Sequence, residues 1–383
     1  MTQTVKHLLI IILFTLATTL LIWLPHFLNL PNLFGLNFSN GFNTIYRNFD
    51  GLEYVIIAKT FYEPGLIAGI AQPLEPIYYA AHFPGYALLM LPFALILGYL
   101  KSMLLVSLFF TIASAIAFFF LVKDFKLTGN PLFLTILFLI LPARWIIVRS
   151  VGSAEPVFIF FVLVSLYFFL KATVGQIKHL PIFISAVTAS FAQLTRPPGA
   201  LLGLALGLFV LWQAYKRKSF TYIFNFLPFL LVPLTLLGIF SWYGYVYNDF
   251  WAYFHSGDNI HLMFPPFQIF NSNQFWVGSI WLEDVIYIFA LGFLGGLLLL
   301  KQKLYPLGFF VLTYLIASIF VAHRDISRYT LPATPFVLIA FEKILISREF
   351  KIVLIILALA FYLYSQNFLI NNTAPIPDIN YYN

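Results

Sequence analysis

The chain has no cysteine, and only 9% of its 383 residues are charged. The first absence removes structural disulfides, thiolate nucleophiles and cysteine-ligated metals together. The second removes the solvated surface that a soluble domain of this length needs. Also missing are a Walker-type phosphate loop, a dinucleotide glycine pattern and a G-x-S-x-G elbow, which leaves nucleotide-driven transport without support. No fixed-period repeat, Gly/Ser linker or low-complexity tract interrupts the chain, so residues 1–383 read as a single membrane-embedded domain.

What is present is apolar: 61% of residues are hydrophobic and 20% aromatic. In lipid, such a chain satisfies its backbone by helices or by a closed barrel, and its unbroken Leu, Ile and Phe runs lack the two-residue alternation of a barrel. The expected fold is an all-α polytopic transmembrane bundle. Runs of spanning length occur at about 7–25, 102–122, 131–148, 155–171, 180–195, 199–215, 220–243, 284–300, 304–321, 330–346 and 352–369, which gives about eleven spans. The first resembles a signal peptide, but no small-residue cleavage site follows it, so it reads as a retained span. Chemistry is expected in two polar interruptions, outside loop 1 (about 26–101) with interfacial helices and outside loop 4 (about 244–283). The tail from Asn371 onward is polar and reads as loose.

Residues 82–101 decide the topology, because this apolar segment is short and holds Pro84 and Pro92. If it lies in the interface, 13 of the 21 basic residues fall on the side of Lys6 and 8 on the other. If it spans, the split becomes 7 against 14. The positive-inside rule favours the flat reading. The cytoplasmic loops are then Lys-dominated, while Arg, Asp, Glu and His collect outside. The formal charge of +7 is accordingly a topology signal rather than a nucleic-acid surface.

Five outside clusters could carry chemistry: YRNFDGLEY from Tyr46, PARWIIVRSVGSAEP from Pro142, QLTRPPG from Gln193, YVYNDFWAYFH from Tyr245 and AHRDISRY from Ala322. Asp50, directly before Gly51 and an apolar-periodic stretch, reads as a helix N-cap or as a general base at the membrane surface. Arg196 enters where Pro197, Pro198 and Gly199 break a helix, a setting for bidentate phosphate contact or simply for a sharp turn. His82, His255, His261 and His323 have no i, i+4 spacing, and no transition metal is expected. Loop aromatics such as Tyr54, Tyr247 and Trp251 fit an interfacial belt and are compatible with sugar stacking.

In order, these clusters resemble the C-superfamily of membrane glycosyltransferases, and most nearly the mannosyltransferases related to GPI mannosyltransferase II. The matching residues are Asp50 with Ile57 and Ala58, then Phe83, Pro84 and Tyr86, then Ser153 and Glu155, then Arg196, Pro197 and Gly199, then Arg328, Tyr329 and Pro332. Asn48 with Asp50 in place of paired acids, and Gly85 after Phe-Pro, depart from the family pattern. The resemblance implies a polyprenyl-phosphate donor carrying mannose or another hexose, transferred with inversion to a lipid, glycan or protein acceptor. Asp50 would be the base, with Arg47, Glu53, His82, Tyr86, Glu155, Arg196, Asp249, Arg328 and Tyr329 binding substrate. No cofactor is implied; without D-x-D, a divalent ion is not expected. The expected location is a membrane, prokaryotic plasma membrane rather than endoplasmic reticulum. The rival reading is a multi-pass transporter or flippase, which should bring polar groups to mid-span.

Overall fold

The computed structural model describes residues 2–70, 74–257, 262–278, 282–374 and 379–382; His261 lies outside the described residues. Every regular element within them is helical. Among the described residues, seven helices are long and apolar enough to cross a membrane, and four more apolar helices have 10–17 residues. The protein is an integral membrane protein of all-α fold.

The helices used below are α1 (Gln3–Phe27), α2 (Gly51–Thr60), α3 (Gly85–Leu97), α4 (Tyr99–Asp124), α5 (Pro131–Ile140), α6 (Ala143–Val148), α7 (Glu155–Thr173), α8 (His179–Thr195), α9 (Gly199–Arg217), α10 (Leu231–Val246), α11 (Glu283–Lys301), α12 (Tyr305–Ser318), α13 (Ile326–Tyr329), α14 (Thr334–Ala340) and α15 (Arg348–Asn371). Two apolar runs expected to span, 131–148 and 330–346, are broken helices. The first stops before Pro142, whose ring cannot continue the hydrogen-bond ladder. Arg149 repairs the break: its Nε donates to the Leu139 carbonyl at 3.0 Å, and Nη1 and Nη2 donate to Thr19 and Thr18 of α1. The second divides at Phe341, between α14 and the short helix Glu342–Leu345.

At 13 residues, α3 is about 20 Å long, short of the roughly 30 Å hydrocarbon core. Side-chain contacts fix which ends of the long helices lie together. Lys123 Nζ, at the end of α4, donates to Thr4 at the start of α1 at 2.8 Å. Trp23, near the other end of α1, donates to the Ser150 carbonyl at 2.6 Å. The start of α1 and the end of α4 therefore share one side, which requires the segment between α1 and α4 to return without crossing. Lys351, over the Phe133 ring at 4.9 Å, places the starts of α15 and α5 together in the same way.

The chain beyond α15 is not loose up to Ala374. Arg47 Nε donates to the Ala374 carbonyl at 2.8 Å, and Ala374 N–H donates back to the Arg47 carbonyl at 2.7 Å. Asn48 is fully buried and its amide donates to the carbonyls of Thr44 and Leu369. Polar composition suggested a free tail; these backbone partners pin it.

Candidate active site

Four segments far apart in sequence deliver the charges of one cluster. Pro197 stops α8, because the residue before a proline is driven out of the helical region, and Arg196 accordingly adopts extended φ −150°, ψ 146°. Close packing fixes this corner. A Cβ on Gly85, at the start of α3, would lie 2.8 Å from the Thr195 Cα. The family departure at Gly85 thus lets two backbones meet beside Arg196. Glu155 starts α7, and its side chain is fully excluded from solvent. Its Oε1 accepts from Arg196 Nη1 at 2.6 Å and from Arg328 Nε at 2.5 Å.

Arg328 faces the other way as well. Its Nη2 donates to Asp50 Oδ2 at 2.5 Å and its Nη1 reaches Oδ1 at 3.4 Å. Asp50 occupies the position before α2, yet its side chain makes no capping bond. The helix-cap reading of Asp50 therefore fails, since the carboxylate is turned to a guanidinium instead. Burial pushes the Asp50 carboxyl up, but the charges of Arg328, His82 and Arg196 and the Arg328 hydrogen bond outweigh it, holding the group well below the usual carboxylate range. Two carboxylates, Asp50 and Glu155, face two guanidiniums, Arg196 and Arg328, so the cluster is balanced.

Asp50 and Arg328 open onto a polar cavity of about 700 Å³, where the Asp50 side chain remains 32% exposed. Its wall adds Arg144, Asp284, His323, Arg324, Asp325, Ser327, Asn367, Asn371 and Asn372. A row of stacked groups runs along it. The Arg328 guanidinium lies 4.4 Å over Phe49, Phe49 stacks on Phe368 at 5.7 Å, and Arg144 lies 4.0 Å over Phe368. An apolar pocket of about 210 Å³, lined by Pro197, Pro198, Tyr253, Tyr314 and Tyr329 among others, adjoins the Arg196 corner.

The other expected site residues are distributed unevenly. Tyr329 approaches Arg196, its ring centroid 6.0 Å from the guanidinium, and packs on His323. His82 packs edge-on to Tyr54 and contributes to the field at Asp50. Tyr86 does not face the cavity: it is fully buried, and its hydroxyl donates to the Met103 carbonyl. Arg47 is engaged by the Ala374 carbonyl rather than by a substrate site. Glu53 lies near Tyr79 and Tyr382 and is not part of the polar cavity's lining. Asp249 is in loop 4, joined to His255 Nδ1 at 2.6 Å, and is not part of the cavity lining either. Glu155 supports both arginines from behind and is not part of the cavity lining. Sequence reasoning did not select Arg144, Asp284, Asp325 or the α15 asparagines, although PARW and AHRDISRY were both in view. Among the described residues, no three His, Asp or Glu side chains converge to hold a metal ion.

No protein-family model and no curated protein matches the chain. Its fold is similar to that of ArnT from Cupriavidus metallidurans in two crystal structures. With the structure bound to undecaprenyl phosphate, the identity is 14% and the TM-score 0.57. With the apo structure these are 13% and 0.53. In both, 91% of this chain is covered, but only 63% and 62% of the ArnT chain. At such identity the likeness is one of fold: a polytopic membrane bundle of the ArnT kind.

Proposed function

We propose that the protein is a membrane glycosyltransferase that moves a sugar from a polyprenyl-phosphate carrier to an acceptor hydroxyl on the non-cytoplasmic face. The observation that carries the reading is the Arg328 fork, shared between a buried carboxylate and a cavity-facing one. The ArnT likeness supports it, because that fold has been captured with undecaprenyl phosphate. The apolar pocket lined by Pro197, Pro198 and Tyr329 offers a polyprenyl chain an apolar seat across the Tyr329 ring from Arg196.

In the resting cluster Asp50 is a weak base, since Arg328 holds its charged form. The donor phosphate competes for the same guanidinium. As Arg328 turns to phosphate, Asp50 loses its main partner and its basicity rises. The acceptor oxygen then attacks the anomeric carbon, the bond from that carbon to phosphate oxygen breaks, and Asp50 takes the acceptor proton, with inversion. Glu155 stays behind both arginines and keeps them aimed. General-base assistance of this kind contributes about 10²–10⁴-fold. Arginine contact with the departing phosphate adds electrostatic stabilisation and needs no acid.

The finer assignments belong to the same proposal. The sugar is a hexose, mannose being the first to test, as in the GPI mannosyltransferase II relatives that the motifs resemble. The acceptor is a lipid, glycan or protein, and the membrane a prokaryotic plasma membrane. The test is transfer of radiolabelled sugar from a panel of polyprenyl-phosphate donors in reconstituted membranes. Transfer by the wild type supports the reading; no transfer from any donor, with no binding of undecaprenyl phosphate, sinks it and favours a transporter.

A further inference from the structure

Arg144 stands at the far end of the stacked row from Arg328, and its partner Asp325, one turn before Arg328, lies on the wall of the same cavity. Each residue is held in place by contacts other than the pair itself. Arg144 Nε donates to Ser327 Oγ at 3.1 Å, and its guanidinium plane rests on Phe368. The Asp325 backbone N–H donates to His323 Nδ1 at 3.0 Å. The two side chains form an ion pair that lacks hydrogen-bond geometry. Arg144 Nη2 comes within 3.2 Å of Asp325 Oδ1, but Oδ1 makes no hydrogen bond, and Arg144 Nη1 makes none either. Both atoms are shielded from solvent. Orphaned donors and acceptors of this kind are rare in folded proteins, because each forfeits its hydration without compensation.

Both side chains nonetheless line the cavity and keep 13% and 15% exposure, and their chemistry narrows what fits. A phosphate or carboxylate would be attracted by Arg144 and repelled by Asp325, and an ammonium the reverse. A neutral group with adjacent oxygens can accept from the guanidinium and donate to the carboxylate at once. Vicinal hydroxyls of a sugar ring have that pattern. Burial pushes the Asp325 carboxyl up; Arg144 and Arg328 partly offset this, and the like charges of Glu155 and Asp50 add to it. A hydroxyl donor would relieve this desolvation.

We infer that Arg144 and Asp325 form a clamp for vicinal hydroxyls of the donor's sugar ring, while Arg328 takes its phosphate. The inference rests on the glycosyltransferase reading and assigns a sugar subsite within it. The row Arg328–Phe49–Phe368–Arg144 sets the two subsites at a fixed separation along one wall.

The experiment measures binding of undecaprenyl phosphate, with and without mannose attached, to the full chain in lipid nanodiscs, for wild type, Asp325→Asn and Arg144→Lys. The wild type is expected to bind the mannosylated form at least tenfold more tightly than the bare carrier. Asp325→Asn should lose most of that increment, about tenfold being the scale expected when one charged hydrogen bond is removed, and should keep affinity for the bare carrier within about twofold. Arg144→Lys keeps the charge but loses the planar fork, and serves if Asp325→Asn melts early. Equal binding of the two ligands by the wild type overturns the clamp and leaves the carrier reading intact. So does an increment preserved in both variants. Binding of neither ligand by the wild type overturns both.

Discussion

Asp50 cannot serve as a base and as the partner of Arg328 at the same moment, and this conflict can be measured. Asp50→Asn is expected to lower transfer by about 10²–10⁴-fold. Because the asparagine competes less well for Arg328, binding of undecaprenyl phosphate should stay the same or tighten. Loss of binding along with transfer would make Asp50 a structural residue. The same ion pair sets a pH dependence. The folded Asp50 carboxyl is held below its unfolded value, so the stabilisation it provides is fully present above about pH 4 and is lost as pH falls further. Melting of wild type and Asp50→Asn should therefore differ at pH 7, and the gap should begin to narrow below about pH 4 and keep narrowing as the pH falls toward the much lower folded value. In the sequence, Asp50 was legible as a residue of interest but not its partner. An Asp before Gly51 has the grammar of a helix cap, and nothing local reveals an arginine 278 positions away.

At the level of helices and turns, the Arg-Pro-Pro-Gly corner was readable because proline acts on its immediate neighbour. The tight approach of α3 to the end of α8 was not, since it depends on which backbones meet. Gly85→Ala would drive a methyl against Thr195, with an expected destabilisation of about 1–3 kcal/mol and lower carrier affinity through a displaced Arg196. Thermal melting together with binding checks it; a variant as stable as wild type would mean the corner yields easily. Glu155→Gln removes the charge that holds two buried guanidiniums, and breaking a buried pair in this way costs about 3–5 kcal/mol. Folded yield and melting should both fall. The broken helices at 131–148 and 330–346 show where hydropathy stops being informative. A run stays apolar whether or not its hydrogen-bond ladder is continuous, and the capping of Leu139 by Arg149 is a tertiary contact.

For the whole molecule, the distribution of lysine and arginine predicts an orientation of the bundle, because insertion charge bias is written in loops that need no tertiary partner. The absence of native cysteine makes that orientation easy to check. In intact cells, an impermeant maleimide should label Ser39→Cys, which is exposed in loop 1, and should reach Gln176→Cys, exposed after α7, only once the membrane is opened. The reverse pattern would invert the topology and put the polar cavity on the cytoplasmic side. The balanced charge of the site has a kinetic consequence on the proposed reading. The donor is a phosphodiester with one negative charge, whereas the departing carrier is a monoester with nearly two at neutral pH. A guanidinium pair that tolerates the first will grip the second harder at its phosphate, which offsets part of the affinity lost with the sugar contacts and slows departure of the carrier. Release of the spent carrier, rather than bond breaking, should then set the steady rate. A rapid first turnover followed by a slower phase, with added undecaprenyl phosphate suppressing only the latter, would be its signature.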